Sequence, residues 1–181
     1  MARNCWFAKN LATTALNDGT KLKEHDDNAD WASASEAAYC WFDNDSVNYA
    51  DPYGALYNKY TVETEKLCPA GWHVPSNEEW LELGLYFENN MDVAGGYLKE
   101  AGTSHWQTPN TGAANSNGFG AVGGGIRNKD AQFLYLDQYG SYWSSNISST
   151  NNTFYMSYNN AELRRSDNNM NAGISVRCVK D

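Results

Sequence analysis

Four cysteines, three histidines and one crowded polar-aromatic stretch are the places where this chain could do chemistry. The cysteines stand at positions 5, 40, 68 and 178, and no two form a CxxC pair, which removes zinc ribbons and thioredoxin-type exchange. Two disulfides or a set of buried thiols remain, and three pairings exist if all four are bridged. The histidines, His25, His73 and His105, are far apart and no HExxH occurs, so a zinc site is unsupported. His73, between Trp72 and Val74, and His105, beside Trp106, read as hydrogen-bonded structural residues. Neither a GxSxG elbow nor a Walker loop is present. A literal GxGxxG does occur at Gly118-Phe119-Gly120-Ala121-Val122-Gly123. The phosphate-binding version needs a strand before it and a helix N-terminus after it, to aim N–H groups at pyrophosphate. Asn115-Ser116-Asn117 precedes it and Gly124-Gly125 follows, so a dinucleotide site is not expected. The densest acids, Asp26-Asp27 and Asp43-Asn44-Asp45, read as a solvated surface, because Val47 and Asn48 break the alternation of a calcium loop.

What remains is suited to binding. Between positions 146 and 171 lie Asn146, Asn151, Asn152, Tyr155, Tyr158, Asn159, Asn160, Arg164, Arg165, Asn168, Asn169 and Asn171. Tyrosine gives rigid contact area at low entropy cost and asparagine adapts its hydrogen bonds, the combination that antibody paratopes use. These residues are the candidate ligand-binding set, and a protein or glycan ligand on a cell surface is the expected partner. The competing reading is an ordinary solvated loop.

The elements that must position this stretch follow from composition and pattern. One domain spanning 1–181 is the default at 181 residues. Seven Trp, twelve Tyr and six Phe can supply much of the core, and fifteen Gly suggest many turns. A net charge of −9 argues against nucleic acid and anionic lipid as partners. No apolar run is long enough to insert in a membrane. No leader precedes Asn4-Cys5-Trp6, which by itself fixes no compartment. Residues 6–11 read as a short strand, 17–30 as a loop, and the Ala-rich segment from Trp31 to Phe42 as a short helix. Ser76 and Glu79 form a capping box, after which Trp80, Leu83 and Phe87 recur at helical spacing, so a helix is expected from about Asn77 to Asn89. Short apolar runs follow beyond Gly95, and the last one alternates, placing Ile174, Val176 and Cys178 on one face. Helices first and strands later make this an α+β chain.

The run Leu67-Cys68-Pro69-Ala70-Gly71-Trp72-His73-Val74-Pro75-Ser76, with Glu79-Trp80, closely resembles the signature of the Fibrobacter succinogenes major paralogous domain. Further matches fall in the right order: Ala8 to Leu11, Ala38 to Phe42, Tyr53 to Asn58, Ala94 to Glu100, His105-Trp106, Asn117 to Phe119, Tyr142 to Ser145 and Gly173 to Cys178. The resemblance implies a C-type-lectin-like fold akin to the formylglycine-generating enzymes, with two helices packed on a twisted, mostly antiparallel sheet and long loops. It implies a Cys68–Cys178 disulfide, worth roughly 4–5 kcal/mol in the chain-entropy model for a loop of about 110 residues. A second bridge from Cys5 to Cys40 is a weaker expectation. Two departures stand out: Val122-Gly123-Gly124-Gly125 replaces a usual Leu-Pro-Gly-Gly turn, and the stretch from Asn146 to Ala172 is unusually rich in asparagine.

The formylglycine-generating enzymes act through paired cysteines near the C-terminus, whereas this chain has Cys178 alone there. The calcium motifs of sugar-binding lectins are also missing. The expectation is therefore a domain that is not an enzyme and carries no cofactor. It would be displayed on a phage virion or bacterial surface, extracellularly, where an oligomer would suit display. Proteins diversified by retroelements often use this fold, and adenine-directed mutagenesis of Asn codons yields Tyr, Ser, Asp or His. The stretch from Asn146 to Asn171 fits that pattern, making a diversity-generating-retroelement variable protein the leading expectation. A secreted, carbohydrate-associated surface module without diversification is the alternative, and an enzyme comes third.

Overall fold

The computed structural model describes residues 4–146 and 152–181. In chain order its elements are β1 (Lys23–Glu24), α1 (Asn28–Ala32), β2 (Ala38–Cys40), a 3-10 turn (Phe42–Asn44), α2 (Ser46–Tyr53, interrupted at Asp51), β3 (Leu56–Tyr57), α3 (Lys59–Glu63) and β4 (Trp72–His73). There follow α4 (Asn77–Leu85), α5 (Met91–Leu98), β5 (Gly124–Arg127), β6 (Phe133–Leu136), β7 (Tyr139–Trp143), β8 (Thr153–Ser157), β9 (Arg164–Ser166) and β10 (Val179–Lys180). The architecture is α+β. The main sheet has five strands in the order β6-β5-β7-β8-β9, antiparallel except for the β5–β7 pair. Small sheets of β1-β2-β3 and β10-β4 flank it.

The capping box forms as its residues dictate: the Ser76 hydroxyl accepts from the Glu79 amide at 3.2 Å, and the Glu79 carboxylate accepts from the Ser76 amide at 2.8 Å. Helix α4 ends at Leu85, short of the expected Asn89, because Glu88 and Asn89 turn the chain through left-handed backbone (φ 54° and 53°) into α5. Its inward stripe, Trp80, Leu83 and Phe87, is buried as the spacing requires. Trp80 stacks on Phe154 of β8 at 5.4 Å and meets Trp6 at 4.8 Å, so α4 and the N-terminal segment cover the inner face of the main sheet. Helix α5 lies closer still. A Cβ on Gly95 would fall 2.1 Å from the Glu162 carbonyl oxygen, so a residue without a side chain is required there.

Three sequence expectations are corrected. No helix spans Trp31 to Phe42. Asp27 caps the short α1 instead, accepting from the Ala29 and Asp30 amides, and Ala38–Cys40 is a strand. Tyr39 and Cys40 pair with Tyr57 and Leu56 on one side, and β1 pairs on the other, so tertiary pairing overrides the helical propensity of the alanines. The 17–30 segment thus carries β1 and most of α1 rather than loop alone. The Cys5–Cys40 bridge is also absent: Cys5 is exposed, while Cys40 is fully buried with Trp31 and Leu56. Burial pushes the Cys40 thiol up to about 12, which leaves it unreactive.

The C-terminal segment threads the second core. Ile174, Val176 and Cys178 are buried on one face as their alternation predicts, but Ser175 and Arg177 are buried too. Each main-chain partner comes from a distant segment: Tyr57 for Ile174, Trp143 for Ser175, Leu11 for Val176 and Phe7 for Cys178. Residues 6–11 are therefore extended along the last segment rather than forming a regular strand. The Cys68–Cys178 disulfide closes this layer.

Long loops are held by buried cations. Lys59, Lys99, Arg127 and Arg177 are almost wholly excluded from solvent, and each donates mainly to main-chain carbonyls. Lys99 reaches Thr111, Ser157 and Asn160 at 2.8–2.9 Å, and Lys59 reaches Ser144 and Asn146 at 2.8 and 2.7 Å. Arg177 donates to the carbonyls of Phe7, Phe119 and Gly120 and to the Asn10 side chain. Each cation also lies over an aromatic ring: Lys99 over Trp106, Lys59 over Trp143, Arg127 over Trp31 and Arg177 over Phe119. Such carbonyls would otherwise be buried without partners.

Candidate functional site

Strand β8 decides which residues of the polar-aromatic stretch can meet a ligand. Phe154 and Met156 point into the core, so Thr153, Tyr155 and Ser157 share the opposite face, where Thr153 and Ser157 are covered and Tyr155 alone is partly exposed. Tyr155 lies opposite Ser141 of β7 and Arg164 of β9. Its ring is 5.7 Å from that of Tyr139, which in turn is 5.1 Å from Tyr135. These three rings, with Ile126, Ser141, Ser166 and Asn168, line a shallow cavity of about 320 Å³ on the outer face of the sheet.

Its edges are built deliberately. Tyr135 and Asp137 adopt left-handed backbone (φ 67° and 59°) in the β6–β7 turn, which turns the Tyr135 ring toward solvent at 47% exposure. The Tyr53 hydroxyl donates to Asp137 at 2.5 Å and fixes that turn, and burial together with the Asp137 carboxylate raises the Tyr53 pKa. At the other edge Asn152 and Asn168 form a reciprocal pair. The Asn168 amide donates to Asn152 Oδ1 and the Asn152 side-chain amide donates to the Asn168 carbonyl, both at 3.0 Å. The Asn168 side chain then donates to Thr153 Oγ1 at 2.9 Å. Among the described residues no Asp, Glu, Lys, Arg or His lines the cavity. It offers ring faces, hydroxyls and one amide. That set can bind and orient a ligand but holds no nucleophile–base pair.

Of the expected binding residues, Tyr155 and Asn168 line this cavity, and Arg164 flanks it while paired with Glu162 and Asp92 at 2.9 and 3.0 Å. Others serve the fold. Asn152 is fully buried, a correction to its expected role in contact. Asn146 accepts from the Asn77 amide at the start of α4, and its carbonyl receives Lys59. Asn160 caps the Glu162 amide and gives its carbonyl to Lys99. Asn171 donates to the Ala32 carbonyl at 2.9 Å, and Asn169 accepts from the Asn171 amide. Asn159 accepts from Ser157 in the turn after β8, and Tyr158 packs against the α4–α5 core. Arg165 lies over the Phe154 ring at 5.5 Å. Asn151 lies outside the described residues. Tyr135, Tyr139 and Ser141 were missed. Tyr139, Ser141 and Trp143 alternate with Gly140 and Tyr142, and that period of two was the available signal.

His73 is the best-engaged titratable group elsewhere. Its Nδ1 lies 2.6 Å from Asp181 and its Nε2 3.0 Å from both Glu79 oxygens. Burial lowers its pKa, but hydrogen bonds to Asp181 and Glu79 outweigh that and raise it overall. The Glu79 carboxylate thereby ties the β4 histidine to the helix cap. Cys178, fully buried and bonded to Cys68, has no thiol to offer.

No curated protein and no solved structure matches the chain significantly. A family model does, over residues 1–180, and it covers the capping box, the disulfide pair and the sheet that bears the tyrosine-lined cavity. The chain belongs to the Fibrobacter succinogenes major domain family.

Proposed function

We propose that this chain is a single ligand-recognition domain of C-type-lectin-like fold that works outside the cytoplasm and performs no catalysis. The observation that carries this reading is the outward row of Tyr135, Tyr139 and Tyr155 over an uncharged cavity. Aromatic faces with hydroxyl and amide edges suit a glycan or a protein surface, the ligand classes expected from the sequence. The disulfide fits an oxidising compartment, and among the described residues no helix is long and apolar enough to cross a membrane. An oxidase of the formylglycine-generating kind finds no support in a lone, bridged Cys178.

Two versions of this domain differ in how the ligand surface arose. A retroelement-diversified protein needs variable positions that tolerate exchange, and Tyr155, Arg164, Asn168 and Asn169 reach the surface. A module without diversification is favoured by the hydrogen-bonded duties of Asn146, Asn152, Asn160 and Asn171, since these account for much of the asparagine crowding. Sequencing the encoding locus separates them. A downstream reverse transcriptase with a near-copy differing at adenines supports diversification, and the absence of both discards it.

The recognition reading itself is tested by applying labelled domain to a glycan array and to intact bacterial cells. Tyr155→Ala and Tyr139→Ala are expected to abolish binding while near-ultraviolet circular dichroism stays native, and Lys23→Ala on a remote exposed strand is expected to bind normally. Undiminished binding by both tyrosine variants sinks the assignment of this face.

A further inference from the structure

A groove of about 690 Å³ lies beside the disulfide and shares no lining residue with the tyrosine-lined cavity. Its floor is apolar: Val62, Leu67 and Val74 are buried there around Cys68. Trp72 of β4 stands half-exposed in the wall, its ring fixed edge-on by Phe7 at 4.5 Å. Carboxylates are among the lining groups: Glu63 at the end of α3, Glu65 just beyond it, and Asp181 after β10. Among the described residues no lysine or arginine lines the groove. Among the described residues the side chains of Glu63 and Glu65 form no ion pair or hydrogen bond. Lys59 is near enough to feel Glu63, but its ammonium donates to Ser144 and Asn146. His73 is already held between Glu79 and Asp181.

We infer that this groove binds a basic segment of a protein partner, with the stem of an arginine or lysine laid on the apolar floor and its charged head beside Glu63 and Glu65. The chemistry selects that class in three ways. An alkyl stem with a cationic head covers apolar surface while keeping its charge at the water boundary, which is the partition this groove offers. An indole face in the wall attracts guanidinium and ammonium groups. Two carboxylates without partners repel an acidic peptide and gain from a basic one, and the net charge of −9 adds a long-range field of the same sign. An uncharged apolar peptide would use the floor alone and leave the carboxylates unmatched.

The test uses the full chain, isotopically labelled, and an acetylated, amidated pentapeptide carrying two arginines and two leucines. The same peptide with citrulline in place of arginine serves as the uncharged control. Titration by NMR is expected to shift the Trp72 indole and the amides of Gly71 and Val74 saturably, with much weaker response to the citrulline peptide. Glu63→Gln with Glu65→Gln, at exposed positions that hold nothing in the fold, is expected to weaken binding about fivefold. Equal binding of the citrulline peptide overturns charge recognition. Shifts scattered over Asp26, Asp43 and Asp45, and unchanged in the double variant, overturn the site in favour of general electrostatic attraction. A silent groove at millimolar peptide overturns it outright.

Discussion

Replacing Lys99 by methionine tests whether buried cations hold this fold. The ammonium is fully buried and donates to the carbonyls of Thr111, Ser157 and Asn160, and it also lies 5.4 Å from the Trp106 ring centre. Methionine keeps the volume of the stem but removes every donor. Three carbonyls then lose a charge-assisted partner in a site with little access to water. Truncating one member of a buried charged network costs about 3–5 kcal/mol, most of it the desolvation of groups left unpaired. That is a large share of the roughly 5–15 kcal/mol that stabilises an ordinary domain. For a chain of 181 residues it corresponds to a fall of about 10 °C in Tm. The loss should also be local before it is global. Ser157 ends β8 and Asn160 opens the return to β9, so the hairpin bearing Tyr155 rests on this lysine. Urea unfolding followed by tryptophan fluorescence gives the stability, and amide hydrogen exchange gives the locality, with faster exchange expected at 111–114 and 157–161. A loss below about 1 kcal/mol with unchanged protection there would refute the reasoning, because the carbonyls would then be satisfied without the cation.

Two further outcomes follow from particular contacts. Gly95→Ala should cost about 3 kcal/mol in urea unfolding, since its new methyl would press 2.1 Å from the Glu162 carbonyl, whereas Gly71→Ala, whose Cβ meets nothing within 4 Å, should cost less, through its φ of +83° alone. His73 has a folded pKa raised by Asp181 and Glu79, so its contribution to stability is full below the unfolded value near 6.5 and fades as pH rises through the higher folded value. With the imidazole 41% exposed the effect should stay under about 1 kcal/mol, seen as a small decline in stability above neutrality that His73→Gln removes.

The parts of this molecule legible in the sequence are those in which local pattern and tertiary demand coincide. Ser76 and Glu79 satisfy two amides of one helix end, and Trp80, Leu83 and Phe87 then face one core, so spacing alone reveals α4. The alternation of Ile174, Val176 and Cys178 is equally plain, but it conceals that Ser175 and Arg177 are also buried, because the segments covering the second face come from residues 7–11 and 119–120, far away in sequence. The alanines at 34, 37 and 38 show propensity overruled: a strand at Ala38–Cys40 gains two neighbours that no local pattern announces. In the asparagine-rich stretch the sequence does not assign individual roles. Residue type alone cannot separate Asn168, which lines a cavity, from Asn152, which braces it.

The buried cations explain why this chain can present a neutral, open sheet face while carrying so little regular structure. Its strands are two to five residues long, so ladders satisfy few of the carbonyls that the intervening loops bring inside. Lys59, Lys99, Arg127 and Arg177 take up that task, each joining segments far apart in sequence: Arg177 links residues 7, 10, 119 and 120, and Lys99 links 111, 157 and 160. Carboxylates could not have done so, since carbonyls accept and do not donate. With four basic side chains drawn inward, the surface is left predominantly acidic, and the cavity on the sheet is lined by aromatic, aliphatic, hydroxyl and amide groups, with Arg164 at its flank. At the groove beside the disulfide, Lys59 directs its ammonium to the carbonyls of Ser144 and Asn146, and Glu63 keeps no ion pair with it. Because the carbonyls that Lys99 reaches are those of Thr111, Ser157 and Asn160, weakening it there should loosen the β8–β9 hairpin without touching the groove.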